Sequence, residues 1–381
     1  MTGPIAVSVA FVVELTLVPL LLPAIQDEFA LSVVQLAWVF NFYGVAVALG
    51  VLLSGWLGDM FDTEKVFAVG VALFASGSVL AAMSDSYAAL IVARAVQGFG
   101  AGCFSPLVPI LLTRAAPRRP GKVLIVWGSL TGYAASTAPL IYGNLLHGDQ
   151  WRIAFFGFAT ISVIALGLLF WSSRLNAGRR RPRAPMNISA LLQSHDLWKV
   201  YGYIFATYGA ITYYLFNLPL WLSAAGFSAE MIAIALSTIW LSFSVMSTML
   251  RNQVDRPHVR LIVLAAPLLI SAGFVIALLR EDAPFVILAS ILIGSALACS
   301  NSPSTQLVLG FAPKGMSSTA ASLDITFARL GGVTAVAILA PSDFRIAVVA
   351  VFLMSFFALV VGHFATQRHV AKYRGGDRRA A

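Results

Sequence analysis

The chain has 381 residues, of which 59% are hydrophobic and 11% charged, with a formal net charge of +9. A soluble domain carries about 25% charged residues, so this composition excludes a soluble globular protein and points to a polytopic membrane protein. The two cysteines, Cys103 and Cys299, fall in apolar segments and read as packing residues rather than a disulfide framework or a metal site.

A helix that crosses a bilayer needs about 20 apolar residues. The sequence predicts twelve such spans, near 4–25, 35–58, 66–83, 87–113, 122–146, 153–171, 197–223, 229–251, 259–279, 284–311, 316–340 and 343–366. Long, continuously apolar runs favour helices over the alternating strands of a barrel. No basic stretch precedes the first run, so a retained span is expected there rather than a cleavable signal. The basic residues then orient the spans. Twenty of the 25 Lys and Arg sit at one set of ends, and only Arg152, Arg280 and Arg345 at the other. This places both termini and the loop 172–196 in the cytoplasm. It also makes the basic excess a topology signal and an attraction to anionic lipid, not a nucleic-acid surface. The expected organisation is a six-helix bundle over 1–172, a linker over 173–196, a second six-helix bundle over 197–366 and a basic tail over 367–381.

Faint similarity joins the two halves at a single offset of 196. Asp59 maps to Asp255, Gly98 to Gly294, Cys103 to Cys299 and Ala116-Pro117 to Ala312-Pro313. The predicted fold is therefore all-α, with two six-helix bundles related as a parallel repeat.

Four charged residues fall inside the spans: Glu14, Arg94, Asp324 and Arg329. A charge at the bilayer centre costs about 2.5–3.5 kcal/mol or more unless it faces a cavity or a partner, so these four mark the place to look for function. In chain order, span one carries Glu14, with Thr16 and a later Pro23. Span two offers Asn41 and Tyr43. The loop after it reads from Gly55 through Asp59 and Met60 to Lys65. Span four reads Arg94-Ala-Val-Gln97-Gly98-Phe-Gly100-Ala-Gly102. Arg94 and Gln97 share a helix face, and Gly98 and Gly102 form a packing surface. By helix rise Glu14 and Arg94 lie at about 15 and 10 Å from the same face, a compatible depth for meeting. The alternatives are that Arg94 snorkels to the interface or that the two form a purely structural pair. Span five carries Gly128, Gly132, Ala138-Pro139 and Gly143. Span seven is aromatic, and Tyr208, Tyr213, Tyr214 and Asn217 can line a cavity or simply pack. Span ten holds Ser300-Asn301-Ser302-Pro303, a polar break. In span eleven Asp324 and Arg329 are five residues apart, about 140° around the helix, so they need not pair with each other.

These stretches resemble the major facilitator superfamily, particularly its drug and metabolite exporters, over nearly the whole chain. Gly55, Asp59 and Lys65 are similar to the family's signature loop after span two, although Met60 stands where a basic residue is usual. Arg114 is a candidate substitute charge. Asp255, Arg256 and Arg260 form the second copy, without the leading glycine. The resemblance implies a gate at these residues. Arg94, Gln97 and Gly98 resemble the Arg-x-x-Gln-Gly pattern of proton-linked facilitators. Glu14 and Thr16 stand where the family often has Asp-x-Thr. Span five partly resembles the antiporter signature, with Ala138 and Tyr142 in place of glycines. Arg329 with Gly331 and Gly332 resembles a pattern of exporters, and the aspartate at 324 is a departure.

The function these features imply is proton-coupled export of a small organic molecule by alternating access. Glu14, Arg94 and Asp324 are the residues expected to couple protons. Arg329, Gln97, Asn41, Tyr43, Tyr208, Tyr213, Tyr214, Asn217 and Asn301 are the expected substrate contacts. Uptake by symport, and a receptor or scaffold without flux, stay open as alternatives. No His-Glu-x-x-His or Gly-x-Ser-x-Gly occurs, which argues against an enzyme. No cofactor beyond the proton gradient and no metal is expected, and the protein is expected to be a monomer in the inner (cytoplasmic) membrane. The aromatics suit amphiphilic drugs, and the two arginines suit carboxylated metabolites of the citrate-siderophore type.

Overall fold

A computed structural model describes residues 2–60, 62–116, 120–143, 150–173, 191, 193–250, 259–280, 282–313 and 316–377. All described elements are helical. In chain order they are α1 (Thr2–Phe29), α2 (Val33–Met60), α3 (Thr63–Ala82), α4 (Tyr87–Phe104), a 3-10 turn (Ser105–Leu107), α5 (Val108–Ala115), α6 (Pro120–Gly143) and α7 (Trp151–Ser173). Then follow α8 (His195–Ala224), α9 (Ala229–Leu250), α10 (Val259–Leu279), α11 (Ala283–Phe311), α12 (Ser317–Leu339) and α13 (Phe344–Asp377). Counting α4, the turn and α5 as one crossing, these are the twelve spans expected from the sequence. Ten of the twelve are long and apolar enough to cross a membrane by length and composition alone, α6 and α8 being the two outside that set.

Local chemistry sets several boundaries. Asp62 caps α3 by accepting from the Glu64 N–H at 3.0 Å, and Ser86 caps α4 by accepting from the Ala89 N–H at 3.3 Å. Between α1 and α2 the chain reverses through Ala30, whose φ of 48° is in the left-handed region. Pro106 lies within the 3-10 turn and Pro109 just beyond it, in the first turn of α5. Each removes a backbone donor, so the α-helical ladder cannot continue through Ser105–Leu107.

Backbone contacts divide the chain into two units. One comprises Met1–Arg183 with Leu215–Trp240, and the other Ala184–Tyr214 with Leu241–Ala381. In the first unit α4 packs on both α2 and α3, α7 packs on α1 and α3, and α1 packs on α6. In the second unit α10 packs on α11 and on α13. The third-to-fourth and third-to-sixth pairings thus occur in both units, as a parallel repeat requires.

The glycines of α4 explain its close packing. A Cβ at Gly98 would collide with the Tyr43 carbonyl, and one at Gly102 with the Val47 carbonyl, both on α2. The small-residue surface expected from the spacing is therefore the α2–α4 contact. At the end of α4, Phe104 is fully buried and meets Phe11, Phe67 and Phe74 edge-on, with ring centroids 5.6–5.9 Å apart. The second unit has a core of its own, built around Leu197, Tyr201, Tyr203, Val263, Leu307 and Ala320. Two tyrosines there bridge helices. Tyr203 Oη donates to the Val263 carbonyl at 2.8 Å, and Tyr201 Oη to the Ala320 carbonyl at 3.1 Å. Tyr201 also stacks on Phe327 at 5.0 Å.

A Cβ at Gly128, by contrast, would meet nothing within 4 Å. Gly102→Ala is expected to lower the thermal midpoint of the purified protein, through overpacking that costs about 1–3 kcal/mol. Gly128→Ala is expected to leave it unchanged or raise it. Thermal unfolding of the two variants in the same detergent checks the contrast.

Candidate functional site

The first unit buries a chain of polar side chains supplied by α1, α3 and α4, with groups of α2 and α7 packed around it. Glu14 lies near the middle of α1 and Arg94 two turns into α4, each 1% exposed, with Arg94 Nη1 2.5 Å from Glu14 Oε1. Nη1 carries two hydrogens, and the second goes to Gln97 Oε1 at 2.5 Å. Gln97 Nε2 in turn donates to Ser78 Oγ on α3 at 2.9 Å. Arg94 Nε points at the Val39 carbonyl of α2 at 3.4 Å. The guanidinium lies over the Tyr43 ring, 4.2 Å from its centroid, with the Phe155 ring of α7 at 5.7 Å. Arg94 therefore does not snorkel; its charge is held inside the bundle by an acid, an amide, a carbonyl and two aromatic faces.

Glu14 is held more loosely. Its second oxygen, Oε2, is buried and has no hydrogen-bond donor among the described residues. Thr16 spends its hydroxyl on the Val13 carbonyl of its own helix, at 2.9 Å. One carboxylate oxygen is thus committed to the arginine and the other is open. An ion pair so enclosed is a weak source of stability, because desolvation of both charges offsets most of their attraction. Asn41 is also buried on α2, 1% exposed, two residues from Val39.

The second unit holds Asp324 and Arg329 on α12. Asp324 is 8% exposed, and its Oδ2 accepts from Thr305 Oγ1 of α11 at 2.8 Å. Arg329 is half-buried, and among the described residues the two form no ion pair within 4 Å, an arrangement their angular separation on the helix allows. Both are electrostatic neighbours of Tyr208 on α8. The α8–α12 approach is tight, because Gly331 sits against the Phe205 carbonyl and Gly332 against the Thr212 side chain. Thr207 and Ser300 share a buried hydroxyl–hydroxyl hydrogen bond of 2.8 Å. Tyr213 and Tyr214 pack on Phe274, stacked at 6.2 Å and edge-on at 5.3 Å. Asn301 is half-buried, and its carbonyl accepts from Ser304 Oγ at 2.9 Å. Asn217, in the part of α8 that belongs to the first unit, is half-buried.

The expected gate residues are spread. Lys65 lies in the first turn of α3 and Arg114 in the last turn of α5, both exposed. Gly55 and Asp59 lie in the last turns of α2, where only the backbone is described, and Asp255 and Arg256 lie outside the described residues. Arg260 engages His363 of α13, with Nη2 3.0 Å from Nδ1. A cavity of about 440 Å³ in the first unit is lined by Pro23, Gln26, Asp27, Leu31, Leu220 and Ser223. Its nearest α1 residue, Pro23, is nine residues beyond Glu14, about 13 Å along the helix. Near it, Glu28 accepts from Trp151 Nε1 at 2.5 Å and from Arg152 Nη1 at 2.6 Å, while Arg152 Nη2 donates to the Ser84 carbonyl at 2.8 Å. No group of His, Cys, Asp and Glu able to hold a metal occurs among the described residues.

Residues 5–336 match the family model described as Major Facilitator Superfamily. The chain belongs to the major facilitator superfamily. Its place there is with membrane transporters rather than enzymes, and its fold is that family's, two six-helix halves. Among curated facilitators, the tetracenomycin C resistance and export protein of Streptomyces glaucescens is 33% identical over 166 residues, 42% of this chain and 30% of that protein. The multidrug export protein EmrB of Haemophilus influenzae is 32% identical over 146 residues, 38% of this chain and 29% of that one. The matches thus span less than a third of either relative. Among solved facilitator structures, a peptide transporter (POT) aligns with a TM-score of 0.76 at 14% identity, covering 96% of this chain and 93% of its own. A D-xylose–proton symporter aligns with a TM-score of 0.68 at 15% identity, covering 96% and 95%. At such identities the likeness is one of fold.

Removing one partner of the buried pair strands the other. Arg94→Gln is expected to destabilise the protein by about 3–5 kcal/mol, and the double variant Glu14→Gln with Arg94→Gln to recover most of that loss. Thermal midpoints of the three proteins at one pH check it. Equal midpoints for the single and double variants would mean that the pair is not energetically coupled.

Proposed function

We propose that this facilitator is a proton-coupled exporter of a small organic molecule, either an amphiphilic drug or a carboxylated metabolite. In this reading it works as an antiporter by alternating access, in the inner (cytoplasmic) membrane with both termini in the cytoplasm. The carrying observation is Glu14, an enclosed carboxylate with one oxygen on Arg94 and the other open. Such a group holds a proton or an ion pair but is poorly served holding neither. A proton arriving from outside binds at Oε2 and weakens the hold of Arg94 on Oε1. Rocking of the halves then exposes the site inward, Arg94 reclaims the carboxylate and the proton leaves. Substrate binding is favoured in the deprotonated state, which gives exchange.

Asp324 is the second proton candidate, a buried carboxyl whose Oδ2 accepts from Thr305 Oγ1. Arg329 is the candidate contact for an acidic substrate group, being half-buried and without an ion-pair partner among the described residues. The names of the relatives, an antibiotic export protein and a multidrug export protein, support export over uptake.

The test uses purified protein in liposomes with an imposed pH gradient, acid on the side that drives export. Ethidium serves as the amphiphilic probe and citrate as the polycarboxylate. The wild type is expected to move at least one of them against its gradient. Glu14→Gln, folded and present in equal amount, is expected to fall to the level of protein-free liposomes. Gradient-driven transport at the wild-type rate in Glu14→Gln would overturn the role.

A further inference from the structure

We propose that Ser78 is a positioning residue for the proton site: it fixes the amide of Gln97, which in turn fixes Arg94 against Glu14. The proposal rests on the reading of Glu14 as the proton carrier and adds a residue that touches neither proton nor substrate.

The argument runs through hydrogen-bond valence. Ser78 has one O–H to give, and it goes to the Phe74 carbonyl of its own helix at 2.7 Å. Toward Gln97, then, Ser78 Oγ can only accept. Gln97 must present its NH2 group there, at 2.9 Å, which turns its oxygen toward Arg94, where Nη1 needs an acceptor and finds one at 2.5 Å. An amide has two nearly isosteric orientations, and the wrong one would set NH2 against guanidinium. Ser78 removes that ambiguity. All four residues are at most 1% exposed, so water is not at hand to replace a lost partner.

The backbone is shaped to allow this contact. A Cβ at Gly77, the residue before Ser78, would collide with the backbone of Gln97. Only a glycine lets α3 approach α4 closely enough for a short serine to reach the amide. The other groups facing the pair are the Tyr43 ring from α2 and the Phe155 ring from α7. The contact that orients the amide of Gln97 from α3 is Ser78 Oγ.

Infrared titration of the purified protein in lipid nanodiscs tests this without a transported substrate. The wild type is expected to show a protonated-carboxyl band that Glu14→Gln removes. Ser78→Ala is expected to move the midpoint of that band by about half a pH unit or more, the net worth of one hydrogen bond. Ser78→Cys, equal in shape and a weaker acceptor, is expected to move it less, and serves if the alanine variant does not fold. Adding Ser78→Ala to Gln97→Leu is expected to move the midpoint no further than Gln97→Leu alone, because the serine acts only through the amide. A Glu14 band whose midpoint is the same in Ser78→Ala, or shifts that add in the double variant, overturns the positioning role and leaves the proton site standing. Absence of any Glu14 band overturns both.

Discussion

An ionised carboxylate cannot rest in the hydrocarbon layer without a counter-charge, and most of the first unit follows from meeting that condition at Glu14. The acid demands an arginine at matching depth. Arginine brings five N–H donors that must themselves be satisfied, so Gln97, the Val39 carbonyl and two aromatic faces gather around it. For those groups to converge, α4 must lie within backbone contact of α2, and α3 within backbone contact of α4. The glycines at 77, 98 and 102 stand where those contacts are made. Charge, donor count and helix spacing are thus one requirement seen at three scales.

The two units answer the problem of a buried acid differently. In the first, the acid is matched by a full charge and the enclosure is tight. In the second, Asp324 accepts from the Thr305 hydroxyl, and among the described residues it forms no ion pair with Arg329, the positive charge nearest in sequence. A charge left without a fixed partner can answer to a ligand. An acid held at one oxygen by a fixed arginine and open at the other is the simpler place to propose proton exchange. The division of labour assigned to Glu14 and Arg329 follows from that contrast.

Much of this was legible before any coordinates. Charge is so scarce in these spans that Glu14, Arg94, Asp324 and Arg329 stand out by themselves, and helical spacing ties Gln97 to Arg94 and Gly98 to Gly102. Span limits were equally plain, because bilayer thickness fixes helix length. Partners drawn from other helices were not. Ser78 is one serine in an apolar run, 19 residues from Gln97, and Thr305 is as far from Asp324. Arg152 and Glu28 are 124 residues apart. Nothing in composition or period announces such pairs, because hydroxyls and end charges are common at positions that face nothing in particular. Tyr213 and Tyr214 show the same limit from the other side. Aromatic character suits both a cavity wall and a packed core, and only the neighbour, here Phe274, distinguishes them.

The interruption of span four at Ser105–Leu107 has a mechanical meaning. Upstream, α4 is seamed to α2 and α3 by glycine contacts and pinned at its last residue by the rings around Phe104. Downstream, α5 is a short helix of eight residues whose last turn carries the exposed Arg114. The turn between them lacks the continuous ladder that would transmit a tilt. The break therefore separates the segment that holds Arg94 from the segment that carries the basic end, so the two do not share one hydrogen-bond ladder.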